Sequence, residues 1–78
     1  MPHISIKMLK GRTEEQKQRA ARALADALVS SLGCSRQHVS VTVEDYTPQQ
    51  WQEVFEQEIT KKQDKLYIRP GYDPKDLL

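Results

Sequence analysis

Cysteine is almost absent from this sequence. The chain of 78 residues has one, Cys34, so no internal disulfide can brace the fold. Cys34 follows Gly33 in a turn, with no neighbouring base in the sequence to activate its thiol. Histidine is scarce as well: His3 and His38 are the only two, and their spacing suits no metal-ligand pattern. An excess of one charge is missing too. Twelve Lys and Arg against eleven Asp and Glu leave a net charge of +1, which gives no electrostatic footprint for nucleic acid or an anionic membrane. Long apolar runs are lacking. No stretch reaches the length of a transmembrane helix, and the N-terminus has no apolar signal-peptide segment. The sequence therefore predicts a soluble, cytoplasmic protein without metal or other cofactor.

What remains is a small chain, read as a single domain over residues 1–78. A domain of this size buries a modest share of its surface and is marginal alone. Disulfide and metal being ruled out, oligomerisation is the expected remedy.

His3 to Met8 alternates, with Ile4, Ile6 and Met8 on one side and His3, Ser5 and Lys7 on the other. That pattern predicts a half-buried strand. "LKGR" breaks it, and "TEEQ" follows: Thr13 as N-cap with Gln16 three residues on is a capping box. Glu14 to Leu32 then reads as a helix. Its expected apolar stripe is Ala20, Leu24, Leu28 and Leu32, flanked by Ala21, Ala27 and Ser31. Gly33 sits where a left-handed residue ends a helix. Val39, Val41 and Val43 alternate with Ser40, Thr42 and Glu44, predicting a second half-buried strand.

"YTPQQW" opens a second helix, with Thr47 as N-cap and Pro48 in the first turn. It is expected to run from Pro48 to about Ile59, covered along Trp51, Val54, Phe55, Glu58 and Ile59. "LYI" at 66–68 reads as a short third strand closed by the "RPGYDP" turn. Residues 73–78 are expected to be a loose tail. The order is β-α-β-α, in the α/β (α+β) class. The first connection holds a long helix, so the two strands should be parallel with a right-handed crossover. Two strands and a helix cannot close a core, whereas two copies could pair their sheets into one four-stranded layer.

Proline directly after the start methionine raises a chemical possibility. Methionine aminopeptidases remove Met1 when the second residue is small. The new N-terminus would then be the free secondary amine of Pro2. Sequence physics alone also allows Pro2 simply to start a strand.

Together, Pro2 opening the first strand, "GRTEEQK" entering the helix, "SLG" leaving it and "VSVTVED" as the second strand resemble the tautomerase superfamily, in its 4-oxalocrotonate tautomerase-like branch. The resemblance spans about residues 2–55. It implies a β-α-β fold assembled as dimers or as hexamers of dimers. The implied chemistry is cofactor-independent proton transfer in small enol and keto carboxylates, with the N-terminal proline as base. By position, Pro2 matches the catalytic proline and Arg12 an arginine that holds the substrate carboxylate. Trp51 falls where the family has an aromatic wall over the substrate. One position departs: Ser40 stands where well-known members carry a second arginine, and a serine supplies no charged, forked donor. Arg69, in "YIRPGY", replaces that charge only if the tail folds back over the site.

The residue types suit the chemistry. A base that takes and returns a proton works best with a pKa near the working pH. Burial and nearby cations such as Arg12 or Lys10 lower an amine's pKa. Arg12 offers planar, bidentate contact to a carboxylate, and Trp51 offers an apolar wall. The outward strand faces, carrying Ser5, Lys7, Ser40, Thr42 and Glu44, are polar. A hexamer would have to cover them, so a homodimer is expected. Two other readings stay open: a non-catalytic oligomerising module, in which Met1 stays and the Pro2 nitrogen is an amide, and a hydratase or dehalogenase acting on unsaturated acids.

Overall fold

A computed structural model describes residues 1–78. Strand β1 spans His3–Leu9, helix α1 Glu14–Leu32, strand β2 Ser40–Tyr46 and helix α2 Pro48–Glu58. Short 3₁₀ turns occupy Arg36–His38, Thr60–Lys65 and Pro74–Leu77. The strands pair in parallel, from His3 with Ser40 to Leu9 with Tyr46. This is the β-α-β arrangement the sequence predicts. No helix is long and apolar enough to cross a membrane.

The helix boundaries follow from local chemistry. Thr13 and Gln16 close a reciprocal capping box at the start of α1, and Thr47 and Gln50 do the same for α2. Each box satisfies two backbone N–H groups that the first turn leaves unpaired. Gly33 ends α1 in the left-handed region at φ 70°, where a side chain would be strained.

Packing departs from the expected stripe on α1. Ala25, 3% exposed, is the only fully buried residue of the chain. Ala21, Leu28 and Val29 flank it, half-buried, whereas Leu24 is 44% and Leu32 65% exposed. The helix approaches the sheet along its alanines, because a methyl side chain permits the closest contact, and the larger leucines turn to its margin. An ion pair fixes that orientation: Lys17 Nζ lies 2.8 Å from Asp45 Oδ2 on β2 and 3.5 Å from Glu14. The Asp45 hydrogen bond holds the Lys17 amine above its ordinary range. A single protomer thus buries almost nothing completely, and both long edges of its two-stranded sheet are unpaired.

Two further expectations are corrected. Leu66–Ile68 is not a strand. Tyr67 and Ile68 are 97% and 87% exposed, and without a sheet edge beside them three extended residues have no ladder to join. Nor is the tail loose. Pro74–Leu77 forms a 3₁₀ turn capped by Asp73, whose carboxylate accepts from the Lys75 amide at 3.0 Å. The tail packs on α2, where Gln52 Nε2 donates to the Pro74 carbonyl at 2.8 Å.

Candidate active site

Pro2 lies at the entrance of β1. It is half-buried, and its carbonyl accepts from the Ser40 amide at 3.3 Å. The next residue, His3, is tied across the strands: its Nδ1 is 2.6 Å from Ser40 Oγ and its Nε2 3.5 Å from Thr42 Oγ1. Ser40 is therefore adjacent to Pro2, but its hydroxyl is engaged by His3. The pair is a hydrogen-bonded link at the position where the family's second arginine would stand.

Arg12 and Trp51 lie at the other end of the sheet. Gly11, at φ 130°, turns the chain sharply out of β1 and leaves Arg12 exposed just before the α1 cap. The Arg12 guanidinium has only the Leu9 carbonyl as partner, at 3.5 Å, the outer limit of a hydrogen bond. Its donors are available to a ligand. Trp51 follows β2 in the first turn of α2, and its ring meets Tyr46 edge-on at 6.2 Å between centroids. Tyr46 is the register partner of Leu9, so Arg12 and Trp51 share one end of the sheet. Pro2 is at the opposite end. At ~3.3 Å per residue, a strand of this length puts about 20 Å between Pro2 and the end of β1 that leads to Arg12, while Trp51 lines a groove with Ser5 and Lys7. Within one chain the strand holds Pro2 and Arg12 apart. The strand length needed to see this separation was present in the sequence.

Arg69 is held elsewhere. Its Nη1 donates to Gln63 Oε1 at 2.6 Å, in the Thr60–Lys65 turn. The tail does fold back, but it is Tyr72 and Pro74, not Arg69, that meet α2.

A groove of about 300 Å³ runs between β1 and α2. Trp51, Val54 and Ile59 form its apolar wall, and Ser5, Lys7 and Glu58 its polar one. Lys7 donates to Ser5 Oγ at 3.1 Å and to Glu44 Oε1 at 3.2 Å, and Tyr46 donates to Glu44 Oε2 at 3.2 Å. The Glu44 hydrogen bond raises the Lys7 amine, while Lys7 first and Tyr46 second lower the Glu44 carboxyl. Burial, then the Glu44 bond, raises the Tyr46 phenol. The polar face of β1 is thus internally paired and partly roofed by α2. Sequence reasoning missed this network. The alternation marked the face as polar, but nothing local said that α2 would lie over it.

The comparison with known proteins agrees with this architecture. The family described as "Tautomerase enzyme" matches residues 2–54. A probable tautomerase of Xylella fastidiosa is 41% identical over 73 residues, covering 92% of this chain and 89% of the relative. The tautomerase PptA of Escherichia coli is 30% identical over 73 residues, covering 92% and 97%. Among solved structures, a heterohexamer 4-oxalocrotonate tautomerase from Chloroflexus aurantiacus superposes with a TM-score of 0.63 at 33% identity, over 65% of this chain and 82% of that one. The chain belongs to the tautomerase superfamily, in its 4-oxalocrotonate tautomerase-like branch.

Proposed function

We propose that the protein is a cofactor-independent tautomerase of small enol and keto carboxylates, working as a homodimer whose sites each draw on both chains. The observation that carries this reading is the separation of Pro2 from Arg12 along β1, together with free edges on both strands. Two copies related by a two-fold axis and joined edge to edge run antiparallel. The Pro2 end of one sheet then faces the Arg12 and Trp51 end of the other. A site divided in this way needs the second copy for its chemistry as well as for its core.

In that site the mature Pro2 amine takes a proton from the carbon next to the substrate carbonyl. The electron pair moves onto the carbonyl oxygen, giving an enolate, and the amine returns the proton to carbon or oxygen. The partner's Arg12 pairs with the carboxylate and faces the developing negative charge, where preorganised donors matter most. The partner's Trp51 excludes water, which strengthens both interactions. Ser40, engaged by His3, favours substrates with one carboxylate over dicarboxylates. Arg69, held by Gln63, takes no part in proton transfer.

The dimer is preferred to a hexamer because α2 already lies over part of the polar sheet face. Sedimentation should give a species of two 9.0 kDa chains; a stable six-chain particle would contradict the assignment. Mixed dimers test the shared site directly. Refolding an equimolar mixture of separately prepared Arg12→Ala protein and Met1-retained protein should restore about a quarter of wild-type sites, since half of randomly assorted dimers are mixed and each holds one intact site of two. If Pro2 and Arg12 acted within one chain, mixing would restore nothing.

A further inference from the structure

Trp51 is the only tryptophan of the chain, and its indole is held by two contacts. Tyr46 of β2 meets it edge-on at 6.2 Å. In addition, its Nε1 donates to the Tyr72 hydroxyl at 2.9 Å. An indole has one donor and no acceptor, so this bond uses its whole polar capacity and fixes the plane of the ring. Tyr72 is itself anchored by its ring edge on Phe55, at 5.6 Å and 72°. The segment that carries it is fastened beside the tryptophan: Gln52, the next residue, donates to the Pro74 carbonyl at 2.8 Å. This strap lies outside residues 2–54, the part matched to the family.

We propose that Tyr72 is a positioning residue: its hydroxyl fixes the Trp51 indole as a flat wall, and this selects substrates bearing an aryl group. The inference rests on the reading of Trp51 as the substrate wall. An indole locked in one plane is preorganised for stacking and loses little freedom when a ring binds against it. A freely turning indole would have to be ordered by each substrate. The contact of Phe55 with the Tyr72 ring does not need the hydroxyl, so Tyr72→Phe removes the lock while leaving the packing.

Two readouts test this. Emission of the single tryptophan reports the lock without any substrate. In Tyr72→Phe it should shift to shorter wavelength, because the excited indole loses the hydrogen bond that stabilises it. Unchanged emission would overturn the proposal. The second readout is deuterium exchange at C3 of phenylpyruvate and of its alkyl counterpart 2-oxobutanoate. For phenylpyruvate, Tyr72→Phe should raise KM about three- to tenfold, the effect of one neutral hydrogen bond, with kcat held. The KM for 2-oxobutanoate should not move. Equal changes for both substrates, or none, would overturn the selective role. Trp51→Ala keeps the two ideas apart. If it leaves the phenylpyruvate KM unchanged, or wild type exchanges neither acid, the reading of the site fails, while the emission result still decides whether Tyr72 holds the indole.

Discussion

Pro2→Ala is expected to lower kcat/KM by about 10²- to 10⁴-fold, the range for loss of an effective general base. Activity should not vanish. Alanine is also small enough for Met1 to be removed, so the variant still presents a primary amine at the same place. What is lost is the rigid ring that aims the lone pair, and the secondary amine's basicity and shape. The pH profile follows from the same account. Wild-type kcat/KM should rise with pH as the ammonium form gives up its proton, through one ionisation below about 8, the ordinary value of a free α-amino group. On the proposed two-chain site, two causes disfavour the charged amine, burial at the strand entrance and the partner's Arg12. In the Arg12→Ala protein that ionisation should move upward, because one of the two causes is gone. A profile flat from acid to neutral pH would rule out an amine base.

Arg12→Ala should lower kcat/KM for a carboxylate substrate by about ten- to a hundredfold or more and raise KM, equivalent to roughly 1.5–3 kcal/mol for a hydrogen bond to a charged group. Thermal stability should be unchanged. The side chain is exposed and makes only a 3.5 Å contact to the Leu9 carbonyl, so folding has little to lose. Arg12→Lys should recover part of the loss, since a point charge remains but the bidentate fork does not. Unaltered kinetics on a carboxylate would remove Arg12 from the site.

Much of the architecture was legible because its signals are local. The alternation of Ile4, Ile6 and Met8, and of Val41 and Val43, marks both strands. The Thr13 and Thr47 capping boxes place both helix starts, and Gly33 places the end of α1. What was not legible depends on contacts distant in sequence. Leu24 and Leu32 are more apolar than Ala25, yet Ala25 is the residue buried, because the closeness of helix and sheet is set by side-chain size and by the Lys17–Asp45 pair. Leu66–Ile68 has the composition of a strand but does not lie beside either free edge of the sheet. Tyr72 carries no local mark of its role, which arises only when the tail crosses α2 to reach Trp51. The sequence offered Pro2, Arg12 and Trp51 as candidates by residue type, and the length of β1 already implied that Pro2 and Arg12 stand apart. Pro2 and Arg12 are ten positions apart in the chain, but the strand between them is extended, and closeness in sequence becomes distance in space. In the proposed dimer, an antiparallel second copy turns that distance back into a site.

The most direct test of the central claim compares two forms of the same chain, distinguished by intact mass. One is the mature protein beginning at Pro2. The other retains Met1, prepared by inhibiting the aminopeptidase during expression. Nothing differs between them but one residue, and with Met1 in place the Pro2 nitrogen is an amide with no basic lone pair. The mature form should catalyse C3 exchange of an α-keto acid, and the Met1-retained form should fall to the background rate, below even Pro2→Ala. Equal activity in the two forms would contradict the account, and Pro2 would then be no more than the first residue of a strand.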